Sequence, residues 1–275
     1  MSDYVRKSGE RISLETRQLI SYRYKVVTRV LNREFYGIDS ETRHSYYVGS
    51  YGRGTAIDSS DVDILFEMPD SEFSRFDNPY SNGQSYLLQV VKNAILTSYP
   101  RSDVRGDGQV VVIDFSDGIQ FEILPAFIES DWLGNKKYKY PHTHDGGSWL
   151  STNPLKEQEA MNEKNRASNG LLYDTCKHIR FIRDNYFKSY KLSGIVIDSF
   201  VYSKMGGWRW NNPESLGGNA APGEYEKHLL EKAEELKAYS IYGFNNTLKA
   251  PGSDDTVDFS KSLDCLIKVL TKIVG

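Results

Sequence analysis

The sequence has few cysteines, no long apolar run and no secretory signature. Cys176 and Cys265 are its two cysteines, too few for a disulfide framework or a four-cysteine zinc site, and its five histidines are scattered. No stretch approaches the roughly 18 uncharged apolar residues typical of a membrane-spanning helix. The first ten residues hold no apolar segment that would predict a signal peptide. These absences predict a cytoplasmic protein with reduced core thiols.

An excess of basic residues is also missing, because 34 Lys and Arg face 37 Asp and Glu, which gives a net charge of −3. Proteins that bind long nucleic acids through many phosphate contacts normally carry a basic excess. We therefore expect neither a long nucleic acid nor a membrane as a partner. What the chain does have is 275 residues, 39% of them hydrophobic and 26% charged. This composition is typical of one large or two modest globular domains.

Hydrophobic periodicity divides the chain into a mixed first part and a helical second part. In the first part, helices are predicted at residues 13–35 and 84–99, strands at 45–48, 62–66, 109–115 and 119–124, and loops at 69–83 and 129–154. Beyond that point, helices are predicted at residues 155–166, 171–190, 194–205, 224–238 and 259–274. We therefore expect an α+β fold, with a small mixed sheet and helices in residues 1–168, a helical lobe in residues 169–275, and a ligand cleft between them.

Two aspartates project from one side of the predicted strand at residues 62–66. Residues two apart in a strand point to the same face, so Asp61 and Asp63 lie side by side while their neighbours are apolar. Adjacent carboxylates raise each other's pKa, and burial adds to that cost. A divalent cation removes the cost, and an oxygen-rich site with few protein ligands is typical of Mg²⁺, which also binds substrate phosphates. The pattern predicts that Asp61 and Asp63 are metal ligands.

A phosphate-binding turn and a third acid complete the predicted site. Gly49 and Ser50 lie where a strand ends and a helical turn can begin, so exposed N–H groups and the Ser50 hydroxyl suit a triphosphate. Glu122 lies between two apolar residues of a later strand and is the favoured third carboxylate. Asp114, near the hairpin turn, is the alternative.

These motifs together resemble the polymerase-β-like nucleotidyltransferases. The resemblance is carried by residues 49–57 (GSYGRGTAI), 60–64 (SDVDI) and 121–127 (FEILPAF), and it is closest to the bacterial CD-NTases, relatives of oligoadenylate synthase and cyclic GMP-AMP synthase. Glu122 stands where this family more often has Asp. The resemblance implies a nucleotidyltransferase core, a C-terminal helical lobe and an active site in the cleft between them.

Weaker matches extend the resemblance from about residue 45 to about residue 260. They imply that Arg183 replaces a triphosphate-binding Lys, a change that keeps the positive charge. They also imply that Ser199 and Phe200 match a Ser-Tyr pair whose hydroxyl meets phosphate and whose ring stacks on the base. Residues 250–255 loosely resemble a late acidic loop of the family.

The activity implied by the resemblance is the joining of nucleoside triphosphates with release of pyrophosphate. In this scheme Asp61 and Asp63 bind two Mg²⁺ ions, which Mn²⁺ can replace, and Glu122 completes the second site and accepts the proton of the attacking hydroxyl. The substrate is held by Gly49, Ser50, Arg183, Ser199 and Phe200. The implied product is a cyclic di- or oligonucleotide second messenger of bacterial anti-phage signalling.

Three alternatives stay open beside this one. The first is another transferase on the same fold, which makes a linear or poly(A)-type oligonucleotide or modifies a small molecule or a protein. The second is a catalytically silent nucleotide-binding regulator, against which the presence of all three acids argues. The third is a sensor activated by nucleic acid, against which the net charge of −3 argues. Constitutive activity, or regulation by a protein partner or a small ligand, is the expectation in place of the third.

Overall fold

The computed structural model describes residues 2–9, 11–59, 61–77, 82–130, 136–211, 221–241, 247–253 and 255–275. The chain divides into two compact units. We call residues 13–52 and 61–154 the sheet unit, and residues 1–12, 53–60 and 155–275 the helical unit. The chain therefore leaves the sheet unit after Gly52 and re-enters it at Asp61.

The sheet unit begins with a long helix whose two ends the sequence specifies. The helix α1 spans Leu14–Tyr36, the Ser13 side chain caps its start by accepting the N–H of Thr16, and Gly37 ends it with a φ of 64°. The elements that follow in chain order are β1 (Ser45–Tyr47), α2 (Gly49–Gly52), β2 (Val62–Glu67), a 3₁₀ turn (Asp70–Glu72), α3 (Phe73–Phe76), α4 (Gly83–Leu96), β3 (Asp103–Asp107), β4 (Val110–Asp114), β5 (Gln120–Ser130), β6 (Lys136–His142) and β7 (Ser148–Thr152).

The sheet has β5 at its centre and the strand order β1-β2-β5-β4-β3. The strands β2 and β5 run parallel, whereas the other paired strands run antiparallel. The second half of β5 leaves β4 and pairs with β6, which pairs in turn with β7. Pro125 lies between the last pair with β4 at Ile123 and the first pair with β6 at Phe127, so its missing N–H interrupts neither ladder.

Alternation along the two central strands separates the core from the predicted site. Val62, Ile64, Phe121 and Ile123 are fully buried in one apolar cluster with residues of α1 and α4. Side chains of opposite parity on the same strands point to the other face of the sheet. This face carries the carboxylates of β2 and β5.

The helical unit contains α5 (Pro154–Ala167), α6 (Leu171–Tyr186), α7 (Gly194–Lys204), α8 (Glu224–Ile241), the two-stranded β8 (Leu248–Lys249) and β9 (Thr256–Val257), and α9 (Leu263–Val274). Its core is a second apolar cluster to which every one of these helices contributes, with Ile179 and Val269 fully buried. The N-terminal segment is attached to it through Val5 in the core and through the Asp3 N–H, which donates to the Ile273 carbonyl at 2.9 Å. No helix among the residues described is both long and apolar enough to cross a bilayer.

The α+β class is confirmed, but three strands of the large sheet and the two short strands β8 and β9 were missed. The prediction of a loop over residues 129–154 was wrong, since β6 and β7 form there, and β3 was not predicted at all. These strands lie toward the edges of the sheet and are rich in charged and polar residues, so they lack the apolar alternation of a half-buried strand. The loop predicted over residues 69–83 contains the 3₁₀ turn and α3, and its residues 78–81 lie outside the described residues.

The division of the chain also differs from the predicted boundary near Asn169. The two units separate at residue 155, because α5 packs into the helical core through Met161. Residues 1–12, which we expected in the first domain, belong to the helical unit. In the late loop at 250–255, Asp254 lies outside the described residues.

Candidate active site

Asp63 and Glu122 are direct neighbours across the two parallel strands at the centre of the sheet. Asp63 of β2 is the register partner of Glu122 of β5, so the two carboxylates leave the sheet on the same face. Both side chains are half-buried. The strand predicted from Phe121, Glu122 and Ile123 is β5, and it places Glu122 beside Asp63 of β2.

Asp61 lies one residue before β2 and is exposed. Burial raises the pKa of Glu122, and the negative charges of Asp61 and then Asp107 raise it further, against an opposing contribution from Arg105. The carboxyl groups of Asp61 and Glu122 are thus close enough to interact. Three acids from two neighbouring strands share one region of the sheet surface.

The glycine of the Gly-Ser motif is required by its contact with Asp63. Gly49 begins α2 with a φ of 57°, and a Cβ atom built on it would lie 1.8 Å from Asp63 Oδ2. The residue before Gly49 also contacts Asp63, because the Val48 N–H donates to the Asp63 carbonyl at 2.9 Å. Ser50, the next residue, is half-buried in this one-turn helix. The predicted turn therefore lies directly beside Asp63, one of the predicted metal ligands, in the sheet unit.

The alternative third acid, Asp114, is engaged elsewhere. It lies at the end of β4 and forms close contacts with Arg105 and Gln120. The hydrogen bond from Gln120, followed by the one from Arg105, lowers the pKa of Asp114. A carboxylate already satisfied by an amide and a guanidinium is a poor metal ligand, so Glu122 is the better candidate.

The donor set suits a hard divalent cation, since carboxylate oxygens are the ligands that Mg²⁺ prefers. Within the described ranges, however, no group of three or more His, Cys, Asp or Glu side chains is already gathered closely enough to hold a metal ion. Asp61, Asp63 and Glu122 share a surface, but their oxygens do not converge. They could hold a cation after changes of side-chain rotamer, with the backbone positions that the strands provide.

Arg183 belongs to the helical unit and lies on α6. Its Nε donates to Asp184 Oδ1 at 2.6 Å, and its Nη1 donates to the Leu192 carbonyl at 3.0 Å. The guanidinium is therefore bonded to the backbone of Leu192, the residue before Ser193, and Ser193 is the N-cap residue of α7. About a fifth of the side chain is exposed, which leaves part of its charge accessible to an anion.

Ser199 and Phe200 do not fit the roles that the resemblance implied. Both side chains are fully buried inside α7, and Phe200 is part of the apolar core of the helical unit. A ring without an exposed face has no surface on which a base can stack. The Ser199 hydroxyl is buried without a hydrogen-bond partner among the described residues, and it does not face solvent. The roles of Ser199 and Phe200 stay a prediction that their burial in this structure does not support.

A more accessible hydroxyl, not considered in the sequence analysis, lies at the beginning of the same helix. Ser193 is exposed in the N-cap position of α7, and its side chain makes no capping hydrogen bond. The first N–H groups of a helix and its dipole favour an anion there. The Ser-Gly step before an apolar helical run was the available signal, because Ser is a preferred N-cap residue.

Comparisons with known proteins show what the chain is similar to. In sequence, the chain is 23% identical over 214 residues to a cyclic AMP-AMP-AMP synthase from an Acinetobacter strain, a match that covers 76% of this chain and 57% of the relative. The chain thus spans little more than half the length of that curated relative.

Two solved structures show the same fold. Elizabethkingia meningoseptica CdnE, a cyclic dinucleotide synthase solved with GTP and Apcpp, matches with a TM-score of 0.60 and 15% identity over 95% of this chain and 97% of that chain. Vibrio cholerae DncV, a cyclic AMP-GMP synthase solved with the linear intermediate pppA(3',5')pG, matches with a TM-score of 0.64 and 14% identity over 94% of this chain and 84% of that chain.

The strongest finding concerns the region that contains the three acids and the Gly-Ser turn. Residues 2–165, more than half of the chain, match the family described as the Second Messenger Oligonucleotide or Dinucleotide Synthetase domain. This match includes the sheet unit with Gly49, Ser50, Asp61, Asp63 and Glu122. The chain belongs to this family, the CD-NTases.

Proposed function

We propose that the protein joins nucleoside triphosphates, releases pyrophosphate and makes a cyclic di- or oligonucleotide second messenger. The observation that carries the proposal is the pairing of Asp63 with Glu122 across parallel strands, next to a glycine turn pressed against Asp63. This is the side-chain set that two-metal phosphoryl transfer requires, with acids on one surface and a phosphate-binding turn beside them. Family membership supports the same chemistry.

In the proposed reaction, a hydroxyl of one nucleotide attacks the α-phosphorus of another. A new P–O bond forms, the bond to the leaving pyrophosphate breaks, and Glu122 accepts the proton of the attacking hydroxyl. Asp61 and Asp63 would hold two Mg²⁺ ions, with Glu122 completing the second site. Bound Mg²⁺ neutralises charge on the triphosphate and stabilises the entering and leaving oxygens. Mn²⁺ is expected to replace it.

Candidate phosphate-binding groups lie in each unit. In the sheet unit, Ser50 and the backbone N–H groups of the turn that begins at Gly49 would bind phosphate. In the helical unit, Arg183 and Ser193 would bind phosphate at the start of α7, because a guanidinium and a helix N-terminus both attract anions. Ser193 replaces Ser199 in this scheme.

The product class rests on the relatives and on the composition. The relatives named above make cyclic nucleotides, and DncV was captured with a linear dinucleotide intermediate. We therefore infer that successive joining and ring closure occur in one site. A role in anti-phage signalling, with control by a protein partner and not by a long nucleic acid, is part of this proposal and agrees with the net charge of −3.

The test is incubation of the purified protein with all four NTPs and Mg²⁺, followed by phosphatase treatment and mass spectrometry. We expect a phosphatase-resistant product of cyclic mass together with released pyrophosphate. A linear product, which phosphatase shortens, would replace the cyclic assignment with the linear alternative.

The double variant Asp61→Asn/Asp63→Asn tests the site itself and should release no pyrophosphate. Its melting temperature should stay nearly unchanged or rise slightly, because two like charges are removed. A double variant that keeps wild-type pyrophosphate release would overturn the site assignment.

A further inference from the structure

A buried cluster of charged residues in the helical unit lies directly after the Gly-Ser turn in the chain. We call it the Asp198 cluster, and it consists of Arg53, Thr55, Glu157, Arg180 and Asp198. The side chains of Thr55 and Asp198 are fully buried, and those of the other three members are at most 8% exposed. Charged groups are this buried only when they are paired.

Asp198 is the centre of the cluster, because one carboxylate accepts four hydrogen bonds. Its Oδ2 accepts from Arg53 Nε at 2.8 Å, Thr55 Oγ1 at 3.0 Å and Arg180 Nη2 at 2.9 Å, and its Oδ1 accepts from Arg180 Nη1 at 2.7 Å. Burial by itself would raise the pKa of Asp198, but the two guanidinium groups outweigh burial and lower it. The carboxylate is therefore ionised at neutral pH.

The second carboxylate balances the charge of the cluster. Arg53 reaches Glu157 with its Nη1, which donates to Oε2 at 2.8 Å. Two guanidinium groups thus face two carboxylates. Such a buried network rarely makes a protein more stable than apolar side chains of the same volume would, so its presence points to a requirement for one particular conformation.

The conformation held by the cluster is that of residues 53–55. Arg53 and Thr55 are both bonded to Asp198, and between them Gly54 has a φ of 75° and would place a Cβ 2.6 Å from the Tyr173 ring. Contacts at three consecutive residues, 53–55, therefore restrict this segment to one backbone conformation. Arg53 follows immediately on Gly52, the last residue of α2, so this path begins where the chain leaves the turn that contains Ser50.

The same cluster reaches the start of α7. Arg180 Nη2, which donates to Asp198, also donates to the carbonyl of Gly194 at 3.0 Å. Gly194 is the first residue of α7 and follows Ser193. One buried carboxylate therefore orders both the residues after the Ser50 turn and the backbone beside Ser193.

We propose that Asp198 is a positioning residue for the nucleotidyl transfer, which sets the two phosphate-binding segments through Arg53, Thr55 and Arg180. This inference rests on the proposed function, because it needs the segments that the cluster orders to take part in binding NTP. Displacement of a substrate-binding segment by about 1 Å costs up to about 100-fold in rate. Loosening the cluster therefore raises the KM for NTP and lowers kcat in a protein that is still folded.

The most precise test compares two substitutions of Thr55. Thr55→Val keeps the shape and removes the donor to Asp198, whereas Thr55→Ser keeps the donor. We expect Thr55→Val to raise the KM for NTP about 3- to 10-fold and Thr55→Ser to stay within about 2-fold of wild type, since one hydrogen bond to a charged group is lost only in the first. The KM does not depend on how much of the sample is folded, so a purely structural role would leave it unchanged.

A larger perturbation keeps the charge balance. Arg53→Met combined with Glu157→Met removes one charge of each sign and leaves the Arg180–Asp198 pair intact. We expect its kcat/KM to fall about 10- to 100-fold.

The matched control is Glu226→Gln. Glu226 is a similarly buried carboxylate of the same unit that accepts from the N–H groups of Val5 and Gly223, at 2.9 and 2.8 Å, and we expect its substitution to leave the KM unchanged.

The outcomes separate this inference from the proposed function. A folded Thr55→Val variant with the KM of wild type would overturn the positioning role even if the double variant fails to fold. An equal rise of KM in Glu226→Gln would also overturn it, because the effect would then be general to buried carboxylates. If the wild-type protein releases no pyrophosphate at all, the proposed function and this inference both fall.

Discussion

Gly49 is the residue at which the site tolerates least change. Because a Cβ there would lie 1.8 Å from Asp63 Oδ2, Gly49→Ala must move the carboxylate or the turn. We expect pyrophosphate release to fall by up to about 100-fold, the cost that misplacing a catalytic group by about 1 Å can have. The measurement is steady-state kinetics with a saturating NTP mixture and Mg²⁺.

The matched control for Gly49→Ala is Gly37→Ala. Gly37 has a similar φ of 64°, and its Cβ would meet nothing within 4 Å. The left-handed backbone penalty of about 1–2 kcal/mol is therefore common to both variants, and only the first has a clash in the site. Equal activities of the two variants would show that backbone strain, and not the contact with Asp63, explains the effect.

Glu122 gives the site a predictable pH dependence in the absence of metal. Because its pKa is raised above the ordinary value of 4.5, the folded state binds the proton more tightly than the unfolded state does. The stability of the wild type therefore falls as the pH rises from about 4.5 through the raised pKa. Glu122→Gln removes this penalty and should raise the melting temperature by about 1–3 °C at pH 7.

The measurement for Glu122→Gln is thermal unfolding in EDTA at pH 7 and pH 4. At pH 4 the wild-type carboxyl is mostly protonated in both states, so the difference between variant and wild type should largely disappear. A Glu122→Gln variant that is less stable than wild type at pH 7, or a difference that is the same at both pH values, would contradict the raised pKa.

The three carboxylates of the candidate site were predicted from the sequence. Ser193, at the start of α7, was not. Asp63 and Glu122 each interrupt an apolar strand, and Asp61 was found because it lies two residues before Asp63 and so on the same side of the chain. The burial of Ser199 was not predicted, although apolar residues follow it and precede Asp198 in the same helix. The meeting of Arg53 with Asp198, 145 positions apart, leaves no trace in local sequence.

At the scale of an element, the beginning and the middle of α7 have opposite roles. Ser193 is exposed at the N-cap, and Ser199 is buried without a hydrogen-bond partner among the described residues. We expect Ser193→Ala to raise the KM for NTP about 3- to 10-fold, since a hydrogen bond to a charged phosphate is lost. We expect Ser199→Ala to leave the KM unchanged and to stabilise the protein slightly, by up to about 1 kcal/mol, because an unsatisfied buried hydroxyl is removed.

Kinetics and thermal unfolding of the two serine variants check this assignment. The result expected from the family resemblance alone is the reverse one, with the KM raised in Ser199→Ala only. That result would contradict the placement of the triphosphate at Ser193.

The elements themselves were predictable where burial gives them a period. The helices longer than ten residues and the strands β1, β2 and β4 were found within a few residues of their ends, because each buries apolar side chains, whereas only the first half of β5 was predicted. Polar strands such as β6, whose seven residues include three lysines, are stabilised by backbone pairing with β5 and β7, which hydrophobic periodicity does not record.

At the scale of the whole molecule, the predicted α+β class was found, but the way the chain forms its two units was not predicted. Residues 53–60 join the helical unit although the sheet unit flanks them on both sides in sequence. The cause is the Asp198 cluster together with Gly54, and its members are distributed over residues 53–198. Long-range ion pairs of this kind are properties of the folded chain and not of any window of sequence.

The measurement that tests the central claim most directly is a crystal structure with Mn²⁺ and a non-hydrolysable ATP analogue. The anomalous signal of manganese locates the ions independently of the protein. The account predicts two anomalous peaks at coordination distance, about 2.1 Å, from carboxylate oxygens of Asp61, Asp63 and Glu122, with the triphosphate beside Ser50. Manganese bound elsewhere, or nucleotide bound with these three carboxylates uncoordinated, would contradict it.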